Sequence, residues 1–419
     1  MKRIKSSIAM FLAAAITLTA LTACSESGTS EILAEHTKIT AAPLDESTTE
    51  LFSLTATDFT AEVFRRAYAE SNGDNTLISP LSILLALAMT ANGANGETLT
   101  EMEAVLGKVV PIDVLTALLA SYTANLPSSN NAKLKLANSI WFRDDEERLT
   151  VEESFLTINR HYYGAQIAKS PFDKTTLNEI NGWVKDNTDG MIEHILDEIP
   201  PEAIMYLINT VMFDAQWREQ YKESQVCERT FTALDGSKQK TELMYSDETR
   251  YLETDNATGF MKPYKSGYSF AALLPNEDVA FGDFVAGLTG ENLRKSLEPQ
   301  DEYVKSALPK FSFDYDIEMS DVLTDMGMPT AFDDGNADFA RLGKSTHGNI
   351  HIGRVLHKAF IEVAEDGTRA GAATVVALDD GGEAYYEEYK TVILDRPFVF
   401  AIVDNATNTP IFMGALTNV

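Results

Sequence analysis

An α+β fold is predicted by three features of the sequence. Helical periodicity comes early, strand-like runs come later, and no low-complexity linker or internal repeat interrupts the chain after Leu51. A doubly wound sheet would alternate the two kinds of element instead. Phe59 to Glu70 has the spacing of an amphipathic helix. Ser82 to Ala91 reads as a strongly apolar helix introduced by Ser79 and Pro80. The strand-like runs are Lys133 to Phe142, Ala203 to Phe213, Ser269 to Leu274, Phe360 to Val363, Thr391 to Leu394 and Phe398 to Val403. One large domain, Leu51 to Val419, is expected.

Composition narrows the function. With 44% hydrophobic and 23% charged residues, 419 residues can bury a large core. A formal charge of −29 argues against nucleic-acid binding, which needs a basic footprint. Two cysteines cannot build a disulfide framework.

Met1 to Cys24 reads as an export signal. Lys2, Arg3 and Lys5 give a positive start, and Ile8 to Ala20 is apolar but short. Its end, Leu21, Thr22, Ala23 and Cys24, resembles the lipobox of bacterial lipoproteins, in which cleavage after residue 23 leaves Cys24 to be lipidated. Removing the three basic residues leaves 31 basic against 63 acidic side chains, a mature charge of −32. Cys227 would then lack a partner within the chain and reads as structural. Residues 24–50, rich in Ser, Thr, Glu and Ala, read as a lipidated Cys24 followed by a flexible tether.

Glu365 to Leu378 (EDGTRAGAATVVAL) is the most informative segment. It starts as a turn and continues as small and β-branched residues. With period two, Thr368, Ala370, Ala372, Thr374, Val376 and Leu378 share one face, while Arg369, Gly371, Ala373, Val375 and Ala377 share the other. Proline is absent from Ala331 through Arg396, so an interior strand is allowed. The acidic, Gly-rich continuation looks like a loop. A segment that suits both states suggests a conformational switch.

Taken together, the motifs resemble those of the serpin family. They are Asn75 to Leu84 (NTLISPLSIL), Leu136 to Phe142 (LANSIWF), Ile180 to Val184 (INGWV), Leu207 to Phe213 (LINTVMF), Leu308 to Phe311 (LPKF), Arg396 to Phe400 (RPFVF) and Ile411 to Gly414 (IFMG). Each is weak alone; their order and spacing carry the resemblance, which runs from Phe59 to Thr417. It implies three β-sheets, eight or nine helices and an exposed reactive-centre loop. A protease attacks such a loop as substrate and forms an acyl-enzyme. The cut loop then enters the main sheet as a new strand and distorts the tethered protease. Strand insertion over sixteen residues at about 3.3 Å each moves that protease on the order of 50 Å.

The resemblance implies a hinge at Glu365, Gly367, Thr368, Ala370, Gly371, Ala372, Ala373 and Thr374. Gly367 is expected to supply backbone freedom there. Small residues at the hinge favour a working inhibitor over a non-inhibitory relative that binds a ligand or serves as a surface interaction protein. The resemblance also implies a sheet-opening cluster of Ser79, Ser82, Asn209 and His357, with Trp217 at the top of the sheet where insertion begins. Counting sixteen residues from Glu365 puts the scissile bond at Gly381–Gly382, whereas counting ten back from Pro397 puts it at Tyr386–Glu387. Ala384 and Tyr385 stay open as cleavage positions. Gly or Ala suits elastase-like or subtilisin-like proteases, and Tyr suits chymotrypsin-like ones. No Arg or Lys lies between Ala370 and Tyr389, which disfavours a trypsin-like target.

An enzyme is not expected. His347 and His351 stand four apart, but Gly348 and Gly353 spoil a helix there, and no HExxH, GxSxG or phosphate loop is present. No cofactor and no metal are expected. The expected partners are a serine protease held in a covalent 1:1 complex by a monomer, and a membrane reached through the lipid anchor, with the domain exported and facing outward.

Overall fold

The computed structural model describes residues 29–108, 110–368 and 389–419. Cys24, Arg369, Ala370, Gly371, Ala372, Ala373, Thr374, Gly381, Gly382, Ala384, Tyr385, Tyr386 and Glu387 lie outside the described residues.

The described chain begins with β1 (Glu31–Ala34), α1 (Glu46–Glu70), β2 (Thr76–Ile78), α2 (Pro80–Ala91), α3 (Gly96–Gly107) and α4 (Ile112–Ala124). Next come β3 (Ala132–Arg143), β4 (Leu149–Val151), α5 (Glu153–Tyr163), β5 (Gln166–Ser170), α6 (Lys174–Asn187) and β6 (Met205–Gln216). Five strands follow: β7 (Val226–Thr232), β8 (Lys238–Glu248), β9 (Tyr251–Glu253), β10 (Ala257–Pro263) and β11 (Tyr268–Pro275). Then come α7 (Phe281–Ala286), α8 (Gly290–Ser296), β12 (Val304–Pro309), β13 (Phe311–Glu318), α9 (Ser320–Met326) and β14 (Gly343–Ser345). The described chain closes with β15 (Leu356–Val363), β16 (Gly367–Thr368), β17 (Lys390–Ile393), β18 (Phe398–Asp404) and β19 (Thr409–Leu416).

These strands form a seven-stranded sheet ordered β1-β5-β3-β6-β16-β15-β13, a six-stranded sheet β2-β19-β18-β11-β10-β9, and a four-stranded sheet β17-β12-β8-β7. The expectation of three sheets omitted a two-stranded ribbon of β4 and β14. Nine α-helices occur among the described residues, as the α+β reading expects.

Local chemistry sets the element ends. Asp45 caps α1 by accepting from the Thr48 amide at 2.9 Å, and Ser79 caps α2 ahead of Pro80 at its first turn. The cap at Asp45 starts α1 upstream of the amphipathic stretch expected from Phe59. The main core lies between one face of the seven-stranded sheet, the six-stranded sheet and helices such as α1 and α2, and includes Phe52, Phe59, Leu84, Phe213 and Phe400. On the other face α6 covers Trp141, Ala168 and Ile208 through Ile180 and Val184.

The segment expected as a flexible tether behaves differently. Glu31–Ala34 extends the seven-stranded sheet by pairing antiparallel with β5, and the Ser30 amide donates to Glu179 at 3.3 Å. Edge pairing uses main-chain groups, so sparse apolar side chains do not prevent it. Ile32 and Leu33 remain 41% and 47% exposed.

Candidate functional site

The site is the line along which β6 and β15 would meet. Among the described residues no ladder joins them directly; β16 stands between them at the top. There Gly367 pairs with Gln216, while Thr368 pairs with Ala215 on one side and Val363 on the other. Below this rung lies a cavity of about 20 Å³ that touches Thr368, and then one of about 360 Å³. Residues from both sheet faces line the larger cavity, among them Ile192 near α6 and Ile83 on α2, so it passes through the sheet.

Trp217 and its neighbours grip the turn that leads into β16. The Trp217 amide donates to Asp366 O at 3.0 Å and its indole Nε1 donates to Ala364 O at 2.8 Å. The Tyr221 amide donates to Glu365 O at 3.1 Å. The Trp217 ring, fully buried, stacks on Tyr264 with centroids 4.5 Å apart. The Tyr264 and Thr368 hydroxyls share a hydrogen bond, and Thr368 is only 3% exposed. Beneath them Lys262 sits 4.2 Å from the Tyr221 ring centroid and pairs with Glu248 at 2.8 Å, both ions buried.

The hinge glycine is explained by contact rather than by freedom. Gly367 sits in the ladder, and a Cβ there would lie 2.0 Å from the Ala215 carbonyl oxygen. The expectation that Gly367 supplies backbone freedom therefore gives way to close main-chain approach. Glu365 forms an ion pair with Lys310, which also reaches Glu242 at 2.8 Å. Burial pushes the Glu365 carboxyl up, but the hydrogen bond and charge of Lys310 outweigh it and leave the pKa lowered.

Lower down, Ser79, Ser82, Asn209 and His357 all line the larger cavity. Three of them are bonded together. The Ser79 amide donates to His357 Nε2 at 3.1 Å, and the Ser82 amide donates to Ser79 Oγ at 3.4 Å. Ser79 Oγ in turn donates to Ile411 O at 3.0 Å. Asn209 stands apart: its Nδ2 donates to Asn138 Oδ1 at 2.8 Å, and its buried Oδ1 has no hydrogen-bond partner. The strands that carry Asn209 and His357 flank β16 rather than each other, so the expected four-residue network is divided. Burial drives the His357 pKa down to about 4, which keeps Nε2 free to accept.

Sequence reading missed Tyr264, Lys262, Glu248, Tyr221, Lys310 and Asn138. Their roles arise from long-range contacts; Tyr264 and Thr368 are 104 residues apart. The arrangement positions a strand-start between two parted strands and holds no constellation for bond-breaking. Among the described residues no group of three His, Cys, Asp or Glu side chains could hold a metal ion.

Comparison with known proteins agrees with this geometry. Residues 54–419 match the family described as Serpin (serine protease inhibitor). An uncharacterized serpin-like protein of Thermococcus kodakarensis is 32% identical over 369 residues, covering 86% of this chain and 84% of that protein. The crystal structure of a thermophilic serpin, tengpin, in its native state is 43% identical with a TM-score of 0.85, covering 93% of this chain and all of that one. The latent state of tengpin, 42% identical, gives a TM-score of 0.79 over 91% of this chain and all of that one. Human thyroxine-binding globulin complexed with its ligand is 25% identical with a TM-score of 0.77, covering 88% of this chain and 99% of that one. With three principal sheets and nine helices among the described residues and a family match over most of its length, this chain belongs to the serpin family.

Proposed function

We propose that the protein is an exported serine protease inhibitor that is consumed by its target. The observation that carries this reading is the Gly367–Thr368 rung, already paired between β6 and β15 above a cavity that continues their separation. The protease serine would attack the carbonyl of the scissile residue and form an ester, and the amine of the next residue would leave with a proton. Insertion then competes with attack of water on that ester. A strand already started has its costly first contacts made, which favours fast insertion.

Continuing the ladder gives the register. Thr374 lies six residues beyond Thr368, as Asn209 lies six before Ala215 and His357 six before Val363. The Thr374 hydroxyl would arrive between Asn209 and His357, where the Asn209 Oδ1 is an unpartnered acceptor. Insertion would thus supply a bond that the parted sheet leaves unmade.

The target is a protease of elastase-like, subtilisin-like or chymotrypsin-like preference, held one to one, with no cofactor. Cys24, preceded by Leu21, Thr22 and Ala23, would anchor the domain to the outer face of a bacterial membrane. Mass spectrometry of membrane fractions tests this: a diacylated Cys24 supports the anchor, and an unmodified chain refutes it.

A second reading, a ligand-binding serpin, is favoured by the thyroxine-bound relative and by the 360 Å³ cavity. Incubation of residues 25–419 with elastase, subtilisin, chymotrypsin and trypsin, followed by denaturing gel and intact mass, separates the two. A complex that survives denaturant, with release of a carboxyl-terminal peptide, supports the inhibitor. Cleaved serpin beside fully active protease across the panel supports the ligand reading.

A further inference from the structure

Lys262 is the one buried lysine or arginine among the described residues, and its bond to Glu248 is the one ion pair there with both partners buried. The pair joins two sheets: Lys262 stands near the end of β10 in the six-stranded sheet, and Glu248 ends β8 in the four-stranded one. Ser246 Oγ donates to the same Glu248 oxygen at 2.7 Å and lies 3.0 Å from Ser306 Oγ. The desolvation of two buried ions offsets most of their attraction, and apolar residues of similar volume often serve stability as well. Stability alone therefore does not account for the pair. What it supplies is a cation at a fixed place.

That place is against Trp217 and Tyr221, the ends of a segment that belongs to no helix or strand. Trp217 stacks on Tyr264, while Lys262 Nζ lies 4.2 Å from the Tyr221 ring centroid and 5.7 Å from that of Trp217. A desolvated cation over an aromatic face is attracted to it, so Glu248, by fixing the cation, fixes the ring. The same segment donates to every carbonyl of the turn before β16. Trp217 Nε1 donates to Ala364, the Tyr221 amide to Glu365 and the Trp217 amide to Asp366, and Gln220 Nε2 adds a bond to Asp366 at 3.3 Å. We propose that Lys262 and Glu248 are positioning residues for strand insertion, which set the Tyr221 ring and through it hold the 364–366 turn and the start of β16 ready to lengthen. The inference rests on the inhibitor reading and deepens it. Acting through Tyr221, the two ions govern how insertion competes with hydrolysis of the acyl-enzyme and leave the first attack of the protease unchanged.

The test compares wild type with Lys262→Met/Glu248→Met, with Tyr221→Leu, which keeps the ions but removes the ring, and with Tyr221→Phe, which keeps both. Amide exchange of the uncut proteins should be faster by at least about tenfold at Trp217 and Tyr221 in the Met pair and in Tyr221→Leu, and unchanged in Tyr221→Phe. Against a protease that wild type traps, the same two variants should consume at least about threefold more inhibitor per protease. Their second-order rate of attack should match wild type, and Tyr221→Phe should trap as wild type does. The urea midpoint of the Met pair should stay near that of wild type, which separates positioning from ordinary stabilisation. Should the Met pair fail to fold, Tyr221→Leu carries the same comparison. Wild-type exchange at both amides, wild-type trapping, or a loss of trapping matched by a lower urea midpoint would each overturn the proposal. No trapping by wild type across the panel would overturn the inhibitor reading and the insertion role with it, while the exchange rates would still show whether the ions hold the turn.

Discussion

The Tyr264 hydroxyl meets the Thr368 hydroxyl beneath the Trp217 indole, so a side-chain bond as well as the ladder fixes the start of the hinge. Thr368 is the first loop residue to face the core. An arginine there would have to place a charge where a small hydroxyl is buried, without a counter-ion. Thr368→Arg is therefore expected to be cleaved by the target without trapping it. Titrating the protease with the variant checks this: the inhibitor needed per protease should rise at least about tenfold, equivalent to about 1.4 kcal/mol in partitioning between insertion and hydrolysis.

Gly367 makes a complementary prediction. Its missing Cβ is what lets the Ala215 carbonyl approach, so Gly367→Ala forces the two strands apart at the rung. The uncut variant should lose about 1–3 kcal/mol, the usual cost of overpacking. Its tryptophan emission should shift to the red as Trp217 loses the cover of the Ala364–Asp366 turn. Urea unfolding followed by fluorescence reads both effects, and an unchanged spectrum would speak against the close-approach explanation.

How legible was this in the sequence? Of the strands that flank the cleft, β6 was plain from its β-branched and aromatic run, as was β3 beside it, while only the second half of β15 was read; α2 was announced by Ser79 and Pro80. β1 was not, since Glu31–Ala34 pairs through its main chain and leaves Ile32 and Leu33 exposed. The hinge was assigned by resemblance alone, and the reason for Gly367 was not legible, because the Ala215 oxygen that excludes a side chain is distant in sequence. Asn209 lines the cavity with the other three residues of the expected cluster, yet its partner Asn138 depends on the β3–β6 register, which no local pattern states.

His357 predicts an acid-labile native state. Its folded pKa of about 4 lies below the ordinary histidine value of 6.5, so the unfolded chain binds a proton that the native one refuses. Stability should therefore fall as pH drops from about 6.5 towards 4. His357→Gln can still accept from the Ser79 amide but does not titrate. Denaturant midpoints at pH 7 and pH 5 should differ less in this variant than in wild type, and an identical pH response would exclude the histidine as the cause.

The Glu365–Lys310 pair carries the opposite case of the same linkage. The folded Glu365 pKa is lowered, so its contribution is present above the ordinary glutamate value of 4.5 and is lost as pH falls through the folded value. Both side chains are partly exposed, which limits the effect to about 1 kcal/mol or less. Glu365→Gln should lower stability slightly at pH 7 and converge with wild type as acid titrates the folded Glu365 carboxyl. A deficit that persists unchanged on acidification would point to packing instead of charge.

Amide hydrogen exchange before and after loop cleavage addresses the central claim, that a strand enters between β6 and β15. Below the Thr368 rung no ladder crosses the cleft at the amides of Met205–Phe213 or Leu356–Ala359 in the described structure. Insertion predicts that these amides become strongly protected once the loop is cut, from Phe213 down to Met205, while β3 and β13 change little. Exchange that stays as fast in the cut protein as in the intact one would contradict loop insertion and leave the cleft to a ligand.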